Sequence, residues 1–296
     1  MPLSDNTRGA LMMMASMAAF TLNDTLMKGL AGEVPLFQLL VLRGVLTTIF
    51  TGVLAWRMGA MHLRIPARDR GLIALRMIGE IGAAYFFLTA LFNMPLANVT
   101  AILQSLPLVV TLCAALFFGE QLGWRRMTAI LVGLVGVMLI VRPGTEGFNL
   151  YSIYALISVA FVVLRDLATR RLSGSTHSMM VTFATTLSVT VFFGAASVTV
   201  DWVPLDARSA WMTVGAAAMV MLGYVFSVLV MRIGEISFVA PFRYTGLIWA
   251  LVLGWYVFGD WPKPLTLIGA SIVASSGVFM LLRERQLARR ARKKAV

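Results

Sequence analysis

Six ionisable side chains interrupt long apolar runs: Asp24, Arg43, Glu80, Arg165, Asp166 and Arg243. In hydrocarbon a charge costs about 3 kcal/mol or more unless it is paired or wetted, so each is a candidate functional group. Glu80 stands in "RMIGEIGAAYFF" between Gly79 and Gly82, where backbone or substrate can approach closely. A carboxylate there can carry a proton or meet an ammonium group. The alternative is structural: Glu80 pairs with Arg43 or Arg243. Asp24 and Arg43 lie at depths that differ by roughly 6 Å along their runs, a gap a long arginine closes. Asp166 and Arg243 share a similar depth from the opposite face. An Asp24–Arg43 pair and an Asp166–Arg243 pair would suit two gates that open in turn, or would simply brace the helices. Asn23, Gln104 and Arg165 are further polar candidates. Among mid-run aromatics, Tyr85, Tyr224, Tyr244 and Trp249 are candidates for lining a cavity for a planar or apolar ligand.

Catalytic chemistry has little to work with. His62 and His177 fall in or beside loops, and Cys113 is the single cysteine. Metalloprotease, serine-hydrolase and phosphate-loop motifs are missing from the sequence. One cysteine and two loop histidines make no metal cluster. The reading is a protein that is not an enzyme and takes neither cofactor nor metal.

The elements that must position these groups follow from composition. Of 296 residues, 59% are hydrophobic and 13% charged, with a mean hydropathy of +0.85. Too few polar residues remain to cover a water-soluble globule, and disorder needs low hydrophobicity. The apolar runs are continuous, as in "LVLRGVLTTIFTGVLAW", whereas an outer-membrane barrel alternates over segments of about ten residues. An all-α membrane protein is expected, with spans near 9–28, 35–57, 71–93, 96–118, 124–142, 148–171, 177–199, 209–231, 238–258 and 263–283. The first run continues to Lys28, which is span length rather than the short core of a cleavable signal. Turn chemistry at Pro35, Pro66, Pro95, Pro143, Ser173–Gly174, Pro204 and Pro262 separates the runs.

Orientation follows from the cations. With the N-terminus in the cytoplasm, 18 Lys and Arg fall on the cytoplasmic side, Arg76 among them. Only Lys28, Arg142, Arg208 and Lys263 fall outside. The positive-inside rule then places both termini in the cytoplasm and residues 145–147 outside. The net charge of +12 is a topology signal and an attraction to anionic headgroups. No nucleic-acid partner is expected.

The chain also resembles itself. Shifted by 140, "ALFNMPLANVTAILQSLPLVVTLCAALFFGE" (90–120) overlies "VMRIGEISFVAPFRYTGLIWALVLGWYVFGD" (230–260) without a gap. Gln104 meets Tyr244, and Gly119–Glu120 meets Gly259–Asp260. Further on, "GVML" (136–139) meets "GVFM" (277–280). Shifted by 142, "FTLNDTLMK" (20–28) overlies "VVLRDLATR" (162–170), so Asp24 meets Asp166. Two five-helix repeats, 1–146 and 147–296, are expected. Five is odd, so the second enters the membrane from the other face and the repeats are inverted. Inverted repeats are typical of carriers with a midplane site between them. Spans 1–4 and 6–9 are expected to line one cavity. Spans 5 and 10, with Gly133, Gly136, Gly269, Ala270, Ala274 and Gly277, are expected to pack peripherally through small residues.

The stretch "LPLVVTLCAALFFGEQLGWRRMTAILVGLVGVMLIVRPG" (106–144), with its echo at 241–283, resembles the EamA repeat of the drug/metabolite transporter superfamily. The shared features are Pro107 in the fourth span, a Gly-Glu at its end, a Gly-rich fifth span and a Pro-Gly stop. The echo departs from the pattern in having Asp260 for Glu, then Pro262 and Pro264. Members of this kind export aromatic and other amino acids, or move vitamins and nucleotide-like metabolites. The resemblance implies a secondary transporter in a bacterial inner membrane, working by alternating access as a monomer or homodimer. Its partners would be a small amphipathic substrate, most readily an amino acid leaving the cell, the lipid bilayer, and protons as coupling ion. Uptake of a planar metabolite is the alternative, with a channel or an intramembrane enzyme behind it.

Overall fold

The computed structural model describes residues 5–60, 66–119, 122–143, 149–173, 176–233 and 236–294. His62, Glu120 and residues 145–147 lie outside these. The described chain is helical, with no strand. In order come α1 (Asp5–Lys28), α2 (Leu36–Arg57), α3 (Ala67–Asn93), α4 (Leu96–Leu103), α5 (Leu106–Phe118) and α6 (Trp124–Val141). Then follow α7 (Tyr151–Arg170), α8 (Ser178–Ala196), α9 (Ala207–Ile233), α10 (Ile236–Val239), α11 (Thr245–Phe258) and α12 (Pro264–Lys294).

Proline starts many of these helices. Pro35, Pro66 and Pro95 immediately precede α2, α3 and α4, where a missing N–H costs no helical bond. At the start of α9 a carboxylate does the work. The Ser209 N–H donates to Asp206 at 2.8 Å, and Ser209 holds the Asp206 carboxyl below the usual carboxylate range.

Among the described residues, nine helical segments are long and apolar enough to cross a bilayer. One of them, Leu96–Phe118, is α4 and α5 joined end to end. The break at Gln104–Ser105 precedes Pro107 in the first turn of α5. In the second broken run, α10 gives way to a 3₁₀ segment, Ala240–Tyr244, with Pro241 in its first turn, and then to α11. Alone, α11 has 14 residues, about 21 Å of rise against a hydrocarbon core of ~30 Å. It reaches span length only with the 3₁₀ segment and α10 before it. Both broken runs end on a left-handed glycine, Gly119 and Gly259, each at φ 68°. Their N–H groups return to the Ala115 and Trp255 carbonyls at 3.0 Å. Glycine takes that conformation without the Cβ clash other residues meet.

The helices pack in pairs: α1 on α9, α3 on α7, α2 on α8 and α6 on α12, with α4 crossing α11. One apolar core gathers Met27, Leu39, Leu88, Leu91, Leu96 and Phe193. Another joins Ile102, Val137, Ile140, Val159 and Val273. The α6–α12 contact is backbone to backbone. A Cβ on Gly136 would lie 2.8 Å from the Gly269 carbonyl oxygen, and one on Gly269 2.5 Å from that of Gly136. Trp56, Trp124, Trp211 and Trp255, all near helix ends, are exposed, as an interfacial belt requires.

Candidate functional site

Glu80 lies midway along α3, and the residue before it decides its surroundings. A Cβ on Gly79 would sit 2.9 Å from the backbone N of Arg165 and 2.9 Å from the Phe161 carbonyl oxygen. Its absence lets α7 press against α3. The group that approaches closely is therefore a helix backbone, and it delivers a cation. Arg165 Nη1 donates to both Glu80 carboxylate oxygens, at 3.3 and 3.5 Å. The same guanidinium donates from Nε to Asp166 at 2.9 Å. One arginine thus serves two carboxylates, and all three side chains keep part of their surface open.

Two expected ion pairs take another form. Asp166 pairs with its chain neighbour Arg165, not with Arg243, and Glu80 pairs with neither Arg43 nor Arg243. Equal depth did not bring Asp166 and Arg243 together, because a shared level leaves the direction around each helix axis open. Arg43 and Asp24 meet through a third residue. Arg43 Nη1 donates to the Asn23 side-chain Oδ1 at 3.3 Å, and Asn23 Nδ2 donates to Asp24 Oδ1 at 2.9 Å.

The residue missed in sequence is Arg76. Counted only as a cation of the cytoplasmic side, it lies within α3 and turns toward the cavity. It donates from Nε to Thr185 at 3.2 Å and from Nη1 to Thr169 at 2.5 Å. The available signal was its spacing, four residues before Glu80 and so on the same helical face.

A cavity of about 440 Å³ is walled by α2, α3, α8 and α9. Arg76, Glu80 and Tyr224 stand in its wall with hydroxyls from Thr51, Thr182, Thr185 and Thr186. Phe50, Leu54, Val225, Val228 and Leu229 supply apolar surface. A smaller chamber of about 70 Å³, holding Arg43 and Thr47, shares the Glu80, Thr186 and Tyr224 walls. The cavity reaches Met58, just past the end of α2, and Met179, in the first turn of α8. By chain direction that is the side on which α1 begins.

The far side carries cross-ties between helix ends, beside a second cavity of about 650 Å³ between α1, α9 and α11. Lys28 Nζ donates to the Met94 and Leu91 carbonyls at 2.6 and 3.1 Å. Gln38 exchanges two hydrogen bonds with the Val203 backbone, at 2.7 and 3.0 Å. Arg208 pairs with Glu33 at 2.6 Å.

Four expected lining residues lie elsewhere. Tyr85 packs against Phe37 and Phe86 in the apolar core. Trp249 is 36% exposed and borders none of these chambers. Gln104 and Tyr244 sit where the two broken runs cross. Gln104 Nε2 donates to the Arg243 carbonyl at 3.3 Å. The Tyr244 hydroxyl fills the space over Gly277, where a Cβ would fall 1.6 Å from it. Tyr224 is the aromatic candidate that reaches the cavity. Four helices wall the space rather than eight, because α4 and α11 are spent on the core beside α1 and α7. Neither α6 nor α12 borders it.

Residues 7–142 match the EamA-like transporter family. The pseudopaline exporter of Pseudomonas aeruginosa is 24% identical over 269 residues, 90% of this chain and 93% of its own. The riboflavin transporter of Vibrio cholerae is 28% identical over 217 residues, 73% of this chain and 72% of its own. An S-adenosylmethionine uptake transporter of Rickettsia felis is 24% identical over 203 residues, 65% of each chain. A solved crystal structure superposes over 95% of this chain and 99% of its own, with a TM-score of 0.65 and 19% identity, a likeness of fold. The chain is a multi-pass membrane protein and a small-molecule transporter, similar over its first half to the EamA-like family and along most of its length to transporters of the drug/metabolite kind.

Proposed function

We propose that the protein carries small amphipathic metabolites, amino acids including aromatic ones or related compounds, out of a bacterial cytoplasm by alternating access. The observation that carries this reading is the mixed wall of the cavity. Charges of both signs stand at mid-depth, with hydroxyls and apolar surface toward the mouth. Such a wall suits a ligand with a charged end and an apolar end. With both termini cytoplasmic, the open mouth faces the cytoplasm and the ties at Lys28, Gln38 and Glu33 lie on the outer face. That is the loading state of an exporter.

The division into inverted repeats, 1–146 and 147–296, belongs to this proposal. Its support is the packing. Exchanging α1 with α7, α2 with α8, α3 with α9 and α6 with α12 needs a consistent partner map, and one exists. The α1–α9 pair becomes α7–α3, while α2–α8 and α6–α12 map onto themselves. The two proline-broken runs, each ended by a left-handed glycine, correspond as well. Two such units rocking about a shared midplane site is the expected way to exchange the open face.

Uptake of a planar metabolite is the second reading, favoured by the named cargo of the riboflavin relative and by Tyr224 and Phe50 in the wall. Transport in proteoliposomes separates them, with amino acids and riboflavin supplied with and without a pH gradient. Amino-acid flux that responds to the gradient is expected. Flux of riboflavin alone would replace the first reading by the second. A cysteine introduced at Asp201, in a Cys113→Ser background, should label from outside intact cells. Labelling only after permeabilisation would reverse the orientation and with it the loading face.

A further inference from the structure

Arg76 and Glu80 stand one turn apart on α3, and both border the cavity. At this spacing Cβ atoms are about 5–6 Å apart on one helix face. Among the described residues no ion pair within 4 Å joins the two, and their partners differ in kind. Arg165 holds Glu80 and Asp166. Arg43 is joined to Asp24 through Asn23. Arg76 is held by hydroxyls alone, those of Thr185 and Thr169. A neutral hydroxyl orients a guanidinium without neutralising it. Among the described residues, Arg76 has no carboxylate within 4 Å and no acceptor is recorded on Nη2. A guanidinium offers five N–H donors in a fixed fork that matches a carboxylate. Glu80 has the complementary vacancy: Arg165 reaches it through one nitrogen at long range, and a carboxylate has about four acceptor sites.

The geometry points to a zwitterion receptor in which Arg76 anchors the substrate's carboxylate and Glu80 receives its ammonium. This inference rests on the amino-acid reading above and narrows it to compounds with a free α-amino acid headgroup. Charge balance favours the same class over compounds that carry a net charge. The charges of Arg76, Arg165, Glu80 and Asp166 sum to zero, and a zwitterion leaves that sum unchanged. An amine or an amide would bring a positive charge, and an N-acylated acid a negative one, into a site of low dielectric. Thr169 and Thr185 are positioning residues that aim Arg76, and the apolar wall beyond Tyr224 takes the side chain.

The test uses the full-length protein in proteoliposomes with phenylalanine, phenylalanine amide, phenethylamine and riboflavin as probes. The wild type is expected to favour phenylalanine over its amide by about tenfold or more, the order that a lost charge-assisted contact produces. Arg76→Gln should bring acid and amide to near parity by slowing the acid while sparing the amide. Arg76→Lys should keep part of the preference, as a point charge without the fork. A full preference retained in Arg76→Gln overturns the anchor and leaves the amino-acid reading standing. Riboflavin moved with no phenylalanine overturns both. Should Arg76→Gln fail to fold, Arg76→Lys decides: an undiminished preference overturns the anchor, and a reduced one supports it.

Discussion

The Asn23–Asp24 and Arg165–Asp166 pairs occupy matching positions when the chain is shifted by 142. In each, an aspartate follows a polar residue on a helix packed against a partner, α1 on α9 and α7 on α3. Their chemistry differs. Around Asp24 a neutral amide stands between acid and base, relaying two hydrogen bonds of 2.9 and 3.3 Å. Around Asp166 the corresponding residue is itself the base and holds two carboxylates. A backbone position can recur while the charge on it does not. The α7 side is consequently joined by ion pairs, and the α1 side by a relay through a neutral amide.

Removing the shared base should give the largest effect. Arg165→Met strands Glu80 and Asp166 together, and losing one partner of a largely buried pair costs about 3–5 kcal/mol. Thermal melting in detergent should show a drop of many degrees. Glu80→Gln should behave differently, since Arg165 keeps Asp166. Transport is expected to fall at least tenfold, or to lose its response to pH, with stability within about 1–2 kcal/mol of wild type. Equal destabilisation by both variants would break the picture of one guanidinium serving two acids.

Next in size is Gly79→Ala. The added methyl meets backbone atoms of α7 at 2.9 Å, not a flexible side-chain end. Overpacking of this kind costs roughly 1–3 kcal/mol. It should also weaken the Glu80–Arg165 contact, so lower melting and slower transport are expected together. Unchanged melting would mean that α3 and α7 have room to spare.

The smallest effect belongs to the relay. Asn23→Ala removes two hydrogen bonds and should cost about 1 kcal/mol, measurable as a shift of a few degrees. A loss as large as that of Arg165→Met would erase the contrast between the two regions.

Much of the scaffold was legible before any coordinates. The breaks at Pro35, Pro66 and Pro95, and the glycine stops at 119 and 259, are local chemistry, and they appear where the residues stand. The length of continuous apolar runs likewise dictates helices in a bilayer, because an unpaired backbone has no water to turn to there. The site was legible in part. Glu80, Arg165 and Asp166 form one bonded cluster and Asn23, Asp24 and Arg43 another, since ionisable groups in hydrocarbon have few other places to go. Tyr85 and Trp249 were misdirected by the same logic applied to aromatics. Aromatic rings are at home in core and lipid as well as in cavities, so their type carries little direction.

Composition, span length, charge asymmetry and helix breaks are properties of neighbouring residues or of sums over the chain, and the amino-acid sequence determined them by itself. Which charges meet was decided only by tertiary structure. Arg165 reaches Glu80 because Gly79 lets two backbones close to contact, and Arg76 faces the cavity because α3 turns the face it shares with Glu80 that way. Both depend on the rotation of one helix against another. A helix turns by 100° per residue, so depth along the axis is readable in a sequence, while the facing partner is set by packing.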